Sequence, residues 1–403
     1  MTTQPLRTPQ HTGTAPHTDT APHTDTAPYA DAAPHTVAAS RAGHAPAAGR
    51  IRRKSRATVR GRRTWAAAAA SVAALLAAAL GAPAAAQAAP AGHGGHHHPA
   101  QPPQTINAQA HELYPESITW DPTRHAFLVG SARQGNVSVV GLDGTVKELT
   151  PSLGLVSTLG IKVDVPRNRI VVVYTDYWVR RLMQVDQPPT SGVAIINLRT
   201  GKLERKIDTG VGRPDNFAND LAVDERTGTI YVTDSVSDSL QQIDLRGRVS
   251  VLLTDDRFSD DSIGLNGIEW SPGGYLLVSR HDTGAVFKIP LTRHPAARLV
   301  QVPVSMRGVD GLVLEPNGRL LAVQNTLGAL HGIPGGIDAV TELATSDGWR
   351  TSRVVHQTDP WPVEGPTTVA IGGPAPYVLS GRLAVLMTQS GTTDEFWLER
   401  LDF

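Results

Sequence analysis

One short stretch recurs six times in this chain, and no other feature limits its fold as strongly. The clearest copy begins at Asn266 and ends at Val278, with a polar first residue, a small second residue, alternating apolar positions, a turn and a second β run. The other copies begin at Glu116, Gly160, Asn219, Asp310 and Thr367. The six starts are 44, 59, 47, 44 and 57 residues apart. A period of about 40–50 residues with four short strands is typical of propeller blades.

The strand pattern within each copy supports the same architecture. The third copy divides into strands at 219–223, 229–234, 240–244 and 249–253, and the fourth into strands at 266–270, 275–279, 285–289 and 299–304. The last copy supplies only three strands, at 367–371, 382–387 and 396–401, while a β run at 105–110 is left over. We therefore predict an all-β fold over 105–403: a six-bladed β-propeller with four-stranded blades, in which the N-terminal strand completes the last blade and closes the ring.

The sequence before this domain differs in composition. Residues 1–64 combine a degenerate Thr-Ala-Pro-His-Thr-Asp repeat with a basic stretch, and we predict a disordered leader. Residues 65–88 contain an Ala-rich apolar run and an Ala-Gln-Ala site, which predict an export signal cleaved near Ala88, with an uncleaved anchor as the alternative. Residues 89–104 form a His- and Pro-rich linker. We expect a secreted or exported protein with no stable membrane partner after cleavage.

Charge and cysteine content exclude several classes of function. The chain has 37 basic and 37 acidic residues, and ten of the basic but three of the acidic ones precede residue 89. The remainder is therefore mildly acidic, at −7, which argues against a nucleic-acid partner and is compatible with cation binding. The absence of cysteine excludes disulfides, thiolate metal sites and cysteine nucleophiles. We expect a monomer.

The first position of the repeat is the candidate functional feature. The innermost strand of a blade lies beside the central channel, so six first residues form a ring at one rim. We call these six residues the column: Glu116, Gly160, Asn219, Asn266, Asp310 and Thr367. Four of them carry carboxylate or amide oxygens, which suit one divalent cation, with Ca²⁺ preferred and Zn²⁺, Mn²⁺ and Mg²⁺ open. The alternative is that these polar residues only cap strand starts.

Other residues are expected at the same face, because the second strand of each blade ends there. These are Asp176, Asp234, His281, Gln324, Asn325 and Gln389. An insertion at 177–184 is apolar enough to cover the channel mouth as a lid. Trp361, in a proline-rich stretch, is a candidate pocket wall. For both the insertion and Trp361, packing between blades is an equal alternative.

Four short motifs resemble those of a known family, the lactonases related to gluconolactonase, senescence marker protein 30 and luciferin-regenerating enzyme. They are Pro115–Ser117, Asn219–Asp224, Leu265–Ile268 and Val309–Leu312. The resemblance spans roughly 114–387 and implies a six-bladed propeller with one divalent cation in the channel. By position it implies Glu116, Asn266 and Asp310 as metal ligands and Asn219 as a substrate contact. Phe217 stands where the family has a sugar-binding Arg, which suggests a more apolar substrate.

The resemblance and the column together lead to two hypotheses. The first is an enzyme that hydrolyses a small-molecule lactone or related ester with a metal-activated water, with Asp310 or His281 taking the proton. No Gly-x-Ser-x-Gly motif supports a covalent route. The second is a non-catalytic propeller that binds a ligand or protein and holds a structural Ca²⁺. Phe217 and Trp361 are further substrate-binding candidates in the first hypothesis.

Overall fold

The computed structural model describes residues 101–152, 154, 157–182, 190–210, 215–259, 263–333, 335–362 and 364–403. The predicted leader, the export signal and the linker as far as residue 100 lie outside the described residues. In the described ranges, no helix is long and apolar enough to cross a membrane.

The described strands form six antiparallel sheets of four strands each, so the predicted six-bladed propeller is confirmed. Blades 1 and 2 consist of β2 (Ile118–Asp121), β3 (Ala126–Gly130), β4 (Val137–Val140), β5 (Val146–Thr150), β6 (Ser157–Asp164), β7 (Arg169–Thr175), β8 (Ser191–Asn197) and β9 (Leu203–Asp208). Blades 3 and 4 consist of β10 (Ala218–Val223), β11 (Ile230–Asp234), β12 (Ser239–Ile243), β13 (Val249–Thr254), β14 (Leu265–Ser271), β15 (Tyr275–Arg280), β16 (Ala285–Pro290) and β17 (Arg298–Leu299). Blades 5 and 6 consist of β18 (Val309–Leu314), β19 (Leu320–Gln324), β20 (Ala339–Ala344), β21 (Arg353–Gln357), β22 (Pro366–Ala370), β23 (Tyr377–Ser380), β24 (Glu395–Arg400) and β1 (Thr105–Gln109).

The first strand in sequence closes the ring, as predicted. β1 pairs antiparallel with β24 over all five of its residues, and Ile106 and Ala108 are buried between blades 6 and 1. Each innermost strand packs against the innermost strands of both neighbouring blades. Apolar side chains between adjacent blades therefore form the core, in which the aromatic pair Phe127 and Tyr377 joins blade 1 to blade 6.

Two strand predictions were wrong. The stretch 382–387 forms no strand; Leu383–Thr388 is a short helix, α2, and the second strand of blade 6 is β23. Leu, Ala and Met favour a helix, and the spacing of Leu383, Leu386 and Met387 places them on one helical face. The predicted strand at 299–304 is the two-residue β17. Three further short helices connect strands: α1 (Tyr177–Leu182) and 3₁₀ helices at Val165–Arg167 and Leu327–His331.

Five of the six innermost strands carry the same β-bulge near their first residue. In β18 the pairing passes from Val309↔Gln324 to Leu312↔Ala322, so Asp310 and Gly311 lie opposite a single residue. The equivalent unpaired residues are 159–160, 219–220, 266–267 and 367–368. A bulge turns a side chain away from the regular alternation of a strand. The bulges therefore turn the side chain of the first residue of each pair out of the regular alternation of its strand.

The bulges correct one position of the predicted column. In blade 2 the first bulge residue is Leu159, and Gly160 is the second, so the equivalent of Asp310 in this blade is Leu159. The second position is glycine in blades 2, 4 and 5, where neighbouring strands approach closely. A Cβ on Gly267 would lie 2.1 Å from Asp310 O, and one on Gly160 would lie 2.4 Å from Asp220 Oδ1. The column is therefore Glu116, Leu159, Asn219, Asn266, Asp310 and Thr367.

Candidate functional site

A cavity of about 480 Å³ opens where the innermost strands begin. Five of the six column residues line it: Glu116, Leu159, Asn219, Asn266 and Asp310. His281 and Asn325 line it as well, at the ends of β15 and β19. The topology explains the gathering, because the first strand of each blade starts, and its partner ends, at the same face. The structure thus brings together all three residues that the resemblance implies as metal ligands.

Two carboxylates from different blades face each other in this cavity. Glu116 precedes β2, and Asp310 lies in the bulge of β18. Burial raises the pKa of the Glu116 carboxyl well above its ordinary value, and the charges of Asp310 and Asp220 raise it further. Burial also raises the pKa of Asp310, against hydrogen bonds from Asn325 and Asn266 that lower it. Two buried carboxylates without a counter-charge are costly, and a bound cation would remove that cost.

Amide groups hold the carboxylate of Asp310 in place. Asn325 Nδ2 donates to Asp310 Oδ2 at 2.6 Å and to Pro366 O at 3.0 Å, while its Oδ1 accepts from Leu327 N at 3.1 Å. All hydrogen-bonding groups of this buried side chain are therefore engaged, which fixes its orientation. Asn325 is a positioning residue for Asp310.

Two oxygens of cavity-lining residues have no hydrogen-bond partner among the described residues. Glu116 Oε2 and Asn219 Oδ1 are buried and accept no hydrogen bond from any described residue. The side-chain nitrogen of Asn219 is engaged, since Nδ2 donates to Ser235 Oγ at 2.9 Å, and this hydrogen bond fixes the amide. Buried polar atoms are normally satisfied by protein, water or an ion. These oxygens are therefore ready acceptors for a ligand at this point of the channel.

His281 presents a third unpartnered atom at the cavity, a nitrogen. Its Nδ1 lies 3.2 Å from Val309 O, which requires the proton on Nδ1 and leaves Nε2 as an acceptor. Nε2 is buried with no hydrogen-bond partner among the described residues and faces Gly328. Burial lowers the pKa of His281 to about 4, so the ring is neutral near pH 7. The imidazole can accept a proton or a hydrogen bond in this form.

An ion pair lies further along the channel. Lys162 of β6 pairs with Glu269 of β14, and Asp220 of β10 lies between their strands. Burial lowers the pKa of Lys162, but the charges of Glu269 and Asp220 outweigh it and raise the value overall. Burial raises the pKa of Asp220 to about 6. The pair joins blades 2 and 4 beyond the column residues.

Short helices and aromatic rings surround the mouth of the cavity. Helix α1, the 3₁₀ helix Leu327–His331 and α2 each connect the second and third strands of their blades. Trp178 stacks on His331 with ring centroids 4.3 Å apart, and its edge meets Phe217 at 5.8 Å. Of the two alternatives for the 177–184 insertion, covering the mouth or packing between blades, the described residues Trp178 and Val179 lie at the mouth and line the cavity. The sequence reasoning missed α2, although the spacing of Leu383, Leu386 and Met387 signals a helix.

Other predicted residues have local structural roles. Trp361 is not among the described residues that line the cavity; it packs against the core between blades 5 and 6. Its backbone N donates to Asp338 O, which ties this stretch to the residue just before β20 of blade 5. Asp176 pairs with Arg180 at 2.6 Å. Asp234 accepts from Phe217 N, and Gln324 binds the backbone of Ser305 and Arg307. Gln389 does line the cavity, as predicted.

The donor set fits one oxygen-liganded cation. Within the described ranges, no group of three or more His, Asp or Glu side chains is placed to hold a metal ion. A cation here would therefore be held by two carboxylates, Glu116 and Asp310, together with the amide oxygen of Asn266. Hard cations accept such mixed carboxylate and carbonyl ligands. The unpartnered Glu116 Oε2 is the observation in favour of this fit.

The neutral state of His281 predicts a dependence of stability on pH. Its pKa of about 4 in the folded protein is below the ordinary 6.5, so the unfolded chain binds the proton more readily. This group therefore destabilises the fold as pH falls from about 6.5 towards 4, by about 2 kcal/mol at pH 5. The free energy of unfolding of the wild type and of His281→Gln can be measured in urea at pH 7.5 and at pH 5. The decrease between the two pH values should be smaller in His281→Gln by about 2 kcal/mol. Equal losses in the two proteins would contradict the prediction.

Comparison with known proteins supports the architecture. No protein-family model matches the chain, and no curated protein matches it in sequence. Among solved structures, it is similar to the major allergen Mala s 1 of Malassezia sympodialis, at 14% identity and a TM-score of 0.60, over 74% of this chain and 96% of that one. The likeness shows a shared fold. A luciferin-regenerating enzyme is similar at 13% identity and a TM-score of 0.50, over 74% of this chain and 97% of that one. A gluconolactonase from Xanthomonas campestris follows at 16% identity and a TM-score of 0.49, over 74% and 89%.

Proposed function

We propose that this protein is a metal-dependent hydrolase that opens a small-molecule lactone or cleaves a related ester. The observation that carries the proposal is the pair of buried carboxylates, Glu116 and Asp310, beside unpartnered oxygens at the base of a ligand-sized cavity. The motif resemblance around Glu116, Asn219, Asn266 and Asp310 supports the same reaction class. The protein would act as an exported monomer on a small molecule.

Three residues would hold the cation: Glu116, Asn266 and Asp310. Their all-oxygen character favours Ca²⁺, and Mn²⁺, Mg²⁺ and Zn²⁺ stay open. When bound, a divalent cation supplies Lewis acidity towards an ester carbonyl and lowers the pKa of a coordinated water.

The remaining residues of the site have complementary roles. His281 Nε2 is neutral, buried and unpartnered in the described structure, which suits it to accept a proton inside the cavity. Asp310 is the alternative acceptor, held by Asn325. Asn219 keeps its Oδ1 available towards a bound molecule because its Nδ2 is fixed by Ser235. The apolar mouth would exclude bulk water and strengthen these polar interactions.

The test combines metal analysis with a substrate panel. We expect the purified protein to bind one divalent cation and to hydrolyse members of a panel of γ-lactones, gluconolactone and p-nitrophenyl esters. Chelation should lower the rate at least about 100-fold, and the added cation should restore it. Hydrolysis that is unchanged by chelation would overturn the proposal. Tight metal binding without hydrolysis of any panel member would favour a binding propeller with a structural Ca²⁺.

A further inference from the structure

The cavity has two chemically different parts. The polar atoms described above lie at its base, at the column. The rest of its wall is mostly aliphatic or aromatic, and the residues that matter here are Leu159, Trp178, Phe217, Leu327, Leu386 and Met387. A cavity of about 480 Å³ is in the range that holds drug-sized ligands. The wall is therefore large enough to contact a substituent well beyond a reacting ester group.

Phe217 makes one side of this wall rigid. Its ring is 2% exposed and lies parallel to the ring of Tyr177, with centroids 4.8 Å apart and planes 1° apart. Its backbone N donates to Asp234 Oδ1 at 3.1 Å. Phe217 precedes Asn219 by two residues, so its apolar ring directly adjoins the polar base of the cavity. Leu159 adds a second apolar surface at the level of the column itself.

The wall offers few free polar groups to a hydroxyl-rich ligand. Arg133 is the only Arg or Lys among the described lining residues, and its guanidinium pairs with Glu112 at 2.5 Å. The Ser157 hydroxyl already donates to Ala132 O at 2.6 Å. A polyol placed along the aliphatic and aromatic part of the wall would leave hydroxyls without partners there, which costs binding free energy.

Apolar side chains at the mouth are available for contact. Leu386 and Met387 of α2 are only half-buried and line the open cavity. Half-buried apolar groups beside a polar centre gain binding free energy when a ligand covers them. Met387 also adapts to ligands of different shape because its side chain is flexible.

We propose that the substrate is a lactone or ester carrying an apolar substituent of the size of a medium-length alkyl chain. The reacting group lies at the column, and the chain lies against Phe217, Leu159 and α2. This inference rests on the proposed hydrolase function and names its substrate class. Sugar lactones are expected to be poorer substrates, because the aliphatic and aromatic part of the wall offers their hydroxyls no hydrogen-bond partners.

Two parallel measurements test this substrate class. The first is kcat/KM for γ-lactones with alkyl substituents of increasing length. The second is binding of the corresponding 5-alkyl-2-pyrrolidinones, lactams that resist hydrolysis, measured by calorimetry. Both kcat/KM and lactam affinity should rise by roughly fourfold per added methylene until the cavity is filled.

A matched pair of variants tests whether α2 contacts the alkyl chain. Leu386→Gln should lower the affinity for the longest bound lactam by about tenfold, whereas the control variant below should keep both wild-type lactam affinity and wild-type γ-butyrolactone turnover. Leu299→Gln is the control, since Leu299 is 52% exposed on β17, in the outermost strand of blade 4. Leu386→Met should retain the dependence on chain length. A Leu386→Gln variant with wild-type lactam affinity would overturn the assignment of α2 to the chain.

The outcomes separate this inference from the proposed function. Turnover of short or sugar lactones without any dependence on alkyl length would overturn the substrate class and leave the hydrolase function standing. Lactam binding that strengthens with chain length, with no lactone or ester hydrolysed, would overturn the function and support an apolar ligand for this cavity.

Discussion

Replacing Asp310 by asparagine is expected to abolish metal binding and hydrolysis while leaving the propeller folded. The substitution preserves shape but removes one of the two carboxylate charges that would hold the cation. We expect hydrolysis to fall at least about 100-fold and the rise in melting temperature on cation addition to disappear. Calorimetric metal titration, lactone turnover and thermal unfolding measure these three effects.

The metal-free Asp310→Asn protein should also unfold at a higher temperature than the metal-free wild type. Asp310 and Glu116 are both buried, and no cationic side chain among the described residues raises or lowers their pKa as a partner. Neutralising one of them removes a cost of burying charge. This gain distinguishes a functional carboxylate from one that stabilises the fold, because loss of a stabilising carboxylate would lower the melting temperature.

Glu315→Gln is the matched control for this variant. Glu315 follows β18, the strand that carries Asp310, but lies at its other end, near Glu342. The control should bind the cation and hydrolyse substrate as the wild type does. Wild-type turnover in Asp310→Asn would remove Asp310 from the proposed site.

Placing a charge in the closing strand is expected to give the largest loss of stability. Ile106 is 2% exposed in β1, between blades 6 and 1. In the full chain, Ile106→Asp puts a carboxylate into this apolar layer, at a cost of about 3–5 kcal/mol. The melting temperature should fall by roughly 10 °C. An unpaired β24 edge should also promote association, which light scattering would detect.

The neighbouring residue provides the control for the closing strand. Asn107 lies in β1 on the exposed side, opposite Trp397 in the ladder. Asn107→Asp adds the same charge one residue away and should change the melting temperature by little. Equal losses in the two variants would show that the added charge, and not the burial of Ile106, destabilises the ring.

The sequence predicted the repeat-based features because each follows from a local pattern. The alternation in the third copy gave the strands of blade 3 to within about one residue, and the missing strand of the last copy pointed to β1. Four column residues, Glu116, Asn219, Asn266 and Asp310, were placed at the cavity from their spacing alone.

The errors arose at positions where tertiary structure, and not the local sequence pattern, determines the backbone conformation. Gly160 fits the frame of the repeat, but the bulge in β6 places Leu159 at the column, and a bulge has no clear signature in a single copy. The apolar run 382–387 fits a short strand as well as a helix, and packing around the cavity selects the helix. For Trp361 the sequence left a pocket wall and packing between blades as equal alternatives, and the side chain packs between blades 5 and 6; the stiffness of the neighbouring prolines does not decide between the two.

The repeated bulge has a consequence for how such a ring can acquire new chemistry. The first bulge residue is not part of the regular backbone pairing of its blade, so its side chain can change without disturbing the ladder beside it. In this chain the five bulges already hold four residue types at this position, on one backbone design: Leu159, Asn219, Asn266, Asp310 and Thr367. Five of the six blades can therefore exchange the side chain at this position one residue at a time, and so change the chemistry of the channel mouth, while their backbone hydrogen bonds are kept.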